Sequence, residues 1–376
     1  MEKFVVIGTG FIGQYMEKGM KNIAHTDKLY GIAYGIKGHA YDTDKRSMEL
    51  GYQVSANNTA EILRKVNPSI IIFSAPPEAA PGIVRDTLAP YYNYCKANNI
   101  RIPDLYSFIP SPSREWMCQE LGGDVNVVKI LPNIIDKVCG YNLAPIGINY
   151  VSYASHTWSF ERKELLMKCM APYGYTVATN DKDSLVLLAG KITSHVCYEV
   201  SFAIHDVCKE FGLDVEINSI GSAMRKAQYL IFNDLALIGR CDDRDIPDLL
   251  KPFFKPFMNA WFKGLNRFTM ENKDITNDSD AVYIDMCSFA LNVFPIRYKN
   301  RDDLMQDTKN AATKGGILER GVEFFYEEIE SHLKDEIKNI LNGRKTSNDF
   351  FTWVSNISYQ TSIEAYNRSL DLTGKK

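Results

Sequence analysis

Phe4-Val5-Val6-Ile7 runs directly into Gly8-Thr9-Gly10-Phe11-Ile12-Gly13, and a helical pattern begins at once. Four apolar residues in succession suit a strand buried on both faces, and G-x-G-x-x-G suits the turn from such a strand into a helix. Each glycine then has its own reason. Gly8 permits the tight turn, Gly10 lets a phosphate approach the backbone, and Gly13 lets the helix lie close to the strand. The first N–H groups of the helix have no partner inside it, and with the helix dipole they make a seat for a diphosphate. The surrounding strand and helix constrain the chain more than the glycines alone do.

The first half continues the alternation. A helix is predicted from about Phe11 to Asn22. A second strand is placed ending near Tyr41, before Asp42-Thr43-Asp44-Lys45-Arg46, then a helix over Lys45–Leu50 and a short strand at Tyr52-Gln53-Val54. Thr59 is expected to cap a helix over Ala60–Lys65, with Glu61 in its first turn. Ser69-Ile70-Ile71-Ile72-Phe73-Ser74 is a continuous apolar run closed by Pro76-Pro77, the pattern of a strand covered on both faces. Further strands are predicted at Ile102–Tyr106, Val125–Leu131 and Tyr150–Ser155. Such alternation implies an α/β domain with a doubly wound parallel sheet of the Rossmann type. From Ser184 the pattern changes: Leu185, Leu188, Ile192, Val196 and Val200 recur at helical spacing. Helices are predicted over Ser219–Leu237, Asp280–Asn292, Asp302–Thr313, Val322–Leu341 and Asp349–Leu370. The expected organisation is a sheet domain of residues 1–180 and an all-α domain of residues 181–376.

Composition narrows the function. The 376 residues suffice for two domains, and 45% are apolar. A net charge of −3 with no large basic block gives no footprint for nucleic-acid binding. No stretch approaches the roughly 18 apolar residues of a membrane span. The first residues lead straight into a strand, so no signal peptide is expected. Eight cysteines without C-x-x-C pairing suggest reduced thiols, a cytoplasmic setting and no structural zinc. His, Asp and Glu do not recur at metal spacing, so no metal is predicted. Glu327, Glu328, Glu330 and Asp335 suit a solvated helix face, with His332 exposed among them. The stretch 247–268 interleaves Phe253, Phe254, Phe257, Trp261, Phe262 and Phe268 with Lys251, Lys255, Lys263 and Arg267. A membrane-surface helix or a base-stacking platform would use such a mixture, but core or subunit interface is the expectation.

Three segments in order resemble the pyrroline-5-carboxylate reductase family, within the dehydrogenases whose C-terminal helical domain is of the 6-phosphogluconate dehydrogenase type. They are Gly8-Thr9-Gly10-Phe11-Ile12-Gly13; Val128-Lys129-Ile130-Leu131-Pro132-Asn133 with Gly140; and Ala312-Thr313-Lys314-Gly315-Gly316-Ile317-Leu318-Glu319-Arg320-Gly321. Order and rough spacing agree over residues 1–330, apart from added length between about 240 and 300. The resemblance implies NADPH or NADH on the first domain, reduction of a cyclic imine with residues of the helical domain, and a homodimer formed by that domain.

It also suggests roles. A protonated imine carbon is already electrophilic, so the site needs mainly positioning and a proton donor. Ser74-Ala75-Pro76-Pro77 resembles the turn that holds the nicotinamide ribose, and Asn133 the asparagine beside the nicotinamide. Asp42 is the candidate reader of the ribose hydroxyls, which leans the cofactor to NAD. It lies further from Gly13 than the usual spacing of about 20, and Lys45 and Arg46 suit the extra phosphate of NADP. Ala189-Gly190-Lys191-Ile192-Thr193-Ser194-His195 stands where the family has small residues. Related hydroxyacid dehydrogenases carry a lysine proton donor on that helix, so Lys191, Ser194 and His195 join Thr313 as candidate catalytic residues. The Gly315-Gly316 turn is expected to face backbone N–H groups to a substrate carboxylate. Lys314, Ile317 and Leu318 depart from the family's proline and threonines, which points away from proline as product and towards another small molecule with an anionic group. A hydroxyacid-type dehydrogenase using Lys191, or a dinucleotide-binding sensor without turnover, stands as the alternative.

Overall fold

A computed structural model of the chain describes residues 2–8, 10–24, 30–32, 59–134, 148–154, 157–233, 238–239, 241–272, 300–303, 306 and 315–373. The chain divides into two units, Met1–Ser184 with Asp371–Lys376, and Leu185–Leu370.

The first unit is a seven-stranded sheet. Its strands are β1 (Phe4–Ile7), β2 (Tyr30–Ile32), β3 (Ile70–Phe73), β4 (Asp104–Ser107), β5 (Val127–Leu131), β6 (Ile148–Tyr153) and β7 (Tyr175–Thr179), in spatial order β2-β1-β3-β4-β5-β6-β7. β1 to β5 are parallel, with Val5 opposite both Tyr30 and Ile71. Alternate side chains enter two separate cores, as the two-residue period requires. Val6, Ile72 and Val128 face one core, with helix α2 (Glu17–Ala24) and the helix Phe160–Met170. Val5, Ile71 and Phe73 face the other, with the helices Thr59–Val66 and Ala89–Ala97. Burial on both faces is why Ile70–Phe73 is apolar without interruption. The strand expected near Tyr41, the helix 45–50 and the strand 52–54 lie outside the described residues. The helix expected from Ala60 begins at Thr59, which is itself buried.

The sheet departs from the expected pattern at its far edge. β6 runs antiparallel to β5, and β7 is parallel to β6, so the last two strands oppose the first five. An antiparallel neighbour needs no helical crossover, and nothing in the strand's composition marks its direction. β7 is an edge strand with exposed and half-buried residues, too short and polar to stand out.

The helix after β1 is broken. α1 (Phe11–Tyr15) gives way to α2 across Met16, because the buried Tyr173 hydroxyl enters the helical ladder. The Gly19 N–H donates to that hydroxyl at 2.7 Å, and the hydroxyl donates to the Tyr15 carbonyl at 2.8 Å. These are the groups that would otherwise bond each other, so one phenol replaces one turn of the ladder. Gly19 leaves the space, since a Cβ there would strike the Cys169 carbonyl and stand 2.9 Å from the Tyr173 ring.

Helices make up the described part of the second unit. The helix Asp181–Glu210 begins in the first unit, where the Asp181 carboxylate accepts from the Ser152 hydroxyl at 2.5 Å and the Arg114 N–H at 3.0 Å. Helices Ile217–Ile231, Lys251–Asn272, Ile317–Phe324, Glu330–Leu341 and Asn348–Thr373 follow. In Lys251–Asn272 the aromatic residues are core: Phe253, Phe257, Trp261 and Phe268 are buried, and Gly264 lets the chain at Ser355–Tyr359 approach its backbone. Phe268 meets Tyr359 and Tyr366 edge-on at 6.4 and 6.0 Å. Among the described residues no helix is long and apolar enough to cross a membrane.

Tyr173→Phe removes the inserted hydroxyl and leaves the Gly19 donor and Tyr15 acceptor to re-form one strained bond. The expected cost is about 1–3 kcal/mol by urea denaturation. An unchanged midpoint would show that the insertion does not support the helix.

Candidate functional site

β2 lies on one side of β1 and β3 on the other. Successive connections therefore part between β1 and β3, and the crevice beyond the carboxyl ends of these two strands is where an open parallel sheet takes a ligand. Gly8 opens the turn there with φ +94°. A side chain on it would stand 2.6 Å from the Ser74 carbonyl carbon and oxygen and 2.7 Å from the Ala75 nitrogen. At Gly13 a Cβ would collide with the Gly8 carbonyl and lie 2.9 Å from Ser74 Oγ. Packing alone thus excludes alanine at both positions. Gly10 is different: it is exposed, and among the described residues a Cβ there would meet nothing within 4 Å. Among the described residues no packing contact requires that glycine.

Ser74 closes the crevice floor. Its N–H donates to the Ile7 carbonyl at 2.9 Å and its hydroxyl to the Gly8 carbonyl at 2.6 Å. Ala75 is buried, and Pro76 and Pro77 are half-buried. The Pro76 carbonyl accepts from Ala79 and Ala80, both at 3.1 Å, which turns the chain into its next helix. Ile12 packs against the core beside β1. Thr9, Asp42 and Thr313 lie outside the described residues, and of Phe11 only the helical backbone is described.

Asn133 is fully buried. Its N–H donates to the Asn149 side chain and its amide to the Tyr173 carbonyl, each at 2.8 Å. The amide expected beside a nicotinamide links the end of β5, β6 and the segment before β7. Asn149 extends it, donating to the Gly174 carbonyl at 3.2 Å.

In the second unit, Lys191, His195 and Glu199 follow one another at four-residue steps on the helix Asp181–Glu210, one face of it. Lys191 is only 6% exposed, Ser194 is buried, and the half-buried His195 ring meets Tyr198 edge-on at 5.0 Å. Glu199 is a residue the sequence did not bring forward, although an acid on an apolar helix face was a usable signal. It is 1% exposed and accepts from the Tyr326 hydroxyl at 2.6 Å. Arg301 stands 3.9 Å from it and pairs with Asp206 at 3.1 Å and Glu330 at 3.2 Å. Glu330 thus belongs to an ion network; Glu327, Glu328, Asp335 and His332 are exposed, and Glu327 pairs with Arg320 at 2.9 Å. Burial pushes the Glu199 carboxyl above its usual range, and the Tyr326 bond and Arg301 charge only partly oppose this. Gly315 has φ +67°; its N–H donates to the Glu319 carboxylate, and Arg368 Nε donates to its carbonyl at 2.6 Å. The turn expected to meet a substrate carboxylate already holds one of the chain's own. Among the described residues no cluster of His, Cys, Asp or Glu is arranged to hold a metal ion.

No family model and no curated protein matches the sequence. Solved structures with a similar course of chain include two reductases and a dehydrogenase. A pyrroline-5-carboxylate reductase from Coxiella burnetii is 12% identical over 92% of this chain and 99% of its own, with a TM-score of 0.40. The Plasmodium falciparum pyrroline carboxylate reductase with NADP bound is 14% identical over 96% and 98%, with a TM-score of 0.35. The prephenate dehydrogenase of A. aeolicus in complex with hydroxyphenyl propionate and NAD+ is 12% identical over 91% and 97%, with a TM-score of 0.36. Likenesses of this size assign neither a family nor an activity.

A carboxyl whose folded pKa is raised contributes stability below its unfolded pKa of about 4.3 and loses it as pH rises through the folded value. Glu199→Gln keeps an acceptor for Tyr326 and removes the titration. Its melting temperature should therefore rise relative to the unsubstituted protein as the pH is raised from about 4 through the folded value. A difference that stays constant over that range would contradict the assignment.

Proposed function

We propose that the chain is an NAD(P)-dependent oxidoreductase that moves a hydride between a nicotinamide and the C=N, or C=O, carbon of a small carboxylate-bearing molecule. One observation carries this: of three glycines in the turn after β1, two are required by packing, and at the third, Gly10, a side chain would meet nothing within 4 Å among the described residues. Together with the parting of connections between β1 and β3, this is the arrangement that admits a diphosphate to bare backbone.

The bound dinucleotide supplies the hydride or accepts it. Gly8, Thr9, Gly10, Phe11, Ile12 and Gly13 form the diphosphate seat. Asp42 reads the ribose hydroxyls and inclines the site to NAD over NADP, and Ala75, Pro76 and Pro77 border the nicotinamide half. Asn133 frames the nicotinamide with them. On the helical side, Lys191, Ser194, His195 and Thr313 meet the substrate, with Lys191 or His195 as proton donor. Residues 1–180 thus serve the cofactor, and residues 181–376 serve the substrate and a homodimer. A second reading, a dinucleotide sensor without turnover, is favoured by the Gly315 amide that already holds Glu319.

Titration of NADH and NADPH fluorescence with the intact protein tests the proposal. Gly10→Val should keep the unsubstituted melting temperature and bind either nucleotide about tenfold or more weakly. Equal affinity in the variant, or no binding by the unsubstituted protein, would refute it. Binding with no turnover across imines, keto acids and hydroxy acids would select the sensor.

A further inference from the structure

We infer that Ser74 is a positioning residue for the diphosphate seat, acting through the Gly8 carbonyl, rather than a residue that touches the nicotinamide half. The inference rests on the dinucleotide reading above. Its basis is a lock of four residues, Ile7, Gly8, Gly13 and Ser74. The Ser74 hydroxyl donates to the Gly8 carbonyl at 2.6 Å, while the Ser74 N–H holds the neighbouring Ile7 carbonyl at 2.9 Å. Gly13 supplies the room, since a Cβ there would stand 2.9 Å from Ser74 Oγ. The hydroxyl therefore sits between the Gly8 carbonyl and the first helical turn, in a space that only a glycine at position 13 leaves.

The electrostatic consequence is direct. A carbonyl oxygen turned towards the crevice would present the negative end of its dipole to a phosphate. Gly8, at φ +94°, has the conformational freedom to rotate its peptide that way. The serine hydroxyl holds that oxygen inward, so the turn offers donors rather than an acceptor to an anion. Its own donor is thereby committed to the backbone. The missing side chain of Gly8 allows the close passage that brings the hydroxyl to this carbonyl: the Ser74 backbone lies where a Gly8 side chain would be.

The experiment compares ADP, which carries the diphosphate without a nicotinamide, with NADH on Ser74→Ala and Ser74→Thr, by calorimetry well below each variant's melting temperature. Ser74→Ala should weaken ADP and NADH by the same factor, about fivefold, the scale of one hydrogen bond. Ser74→Thr keeps the hydroxyl and should bind both within about twofold of the unsubstituted protein. Loss of NADH affinity with ADP binding intact would place Ser74 against the nicotinamide half and overturn the inference. So would unchanged affinity for both, or a Ser74→Thr protein as weak for ADP as Ser74→Ala; the threonine variant decides if the alanine variant does not fold. Binding of neither ligand by the unsubstituted protein would instead remove the parent reading.

Discussion

Two backbones meet at the carboxyl end of the sheet with no side chain between them. The turn leaving β1 at Gly8 passes against Ser74 and Ala75 at the end of β3, and the next helix passes against both through Gly13. Everything proposed for the first unit depends on this approach. The parallel pairing of Ile7 with Phe73 brings the two strand ends level, and the missing side chains let their continuations touch. The two buried cores hold β1 and β3 from opposite faces and leave the crevice at their ends as the free edge. A hydroxyl rather than a methyl at position 74 then decides which way one carbonyl points.

The second unit poses a different problem. Its long helix carries apolar residues at helical spacing, yet Lys191, Glu199 and several hydroxyl groups are buried on it. Buried charge is costly unless it is paired and bonded. Glu199 meets this with Tyr326 and Arg301, and Arg301 with Asp206 and Glu330. A glycine again permits a close contact: a Cβ on Gly321 would lie 2.5 Å from the Ile192 side chain, one residue after Lys191.

Much of this was legible in the sequence, for identifiable reasons. Ile70–Phe73 announces a strand covered on both faces because no polar residue interrupts it. The glycine turn is legible because its spacing encodes packing, and the long helices because their periodicity is strong. What escaped depends on contacts distant in the chain. The antiparallel direction of β6 is set by pairing, not composition. Tyr173 enters a helix more than 150 residues earlier, and no local pattern marks a phenol that will break a ladder. The bond from the Asn133 amide to the Tyr173 carbonyl, 40 residues on, is likewise a contact that no local pattern marks. The Gly315 turn is a donor for an anion, with Glu319, four residues on, as that anion.

Hydrogen–deuterium exchange on the intact chain, with and without saturating NADH or NADPH, tests the central claim most directly. A diphosphate on the bare turn should slow exchange in peptides covering residues 7–14 and 74–80, the two sides of the crevice between β1 and β3. Slowing confined to other segments, with those two unchanged under saturating nucleotide, would contradict the account.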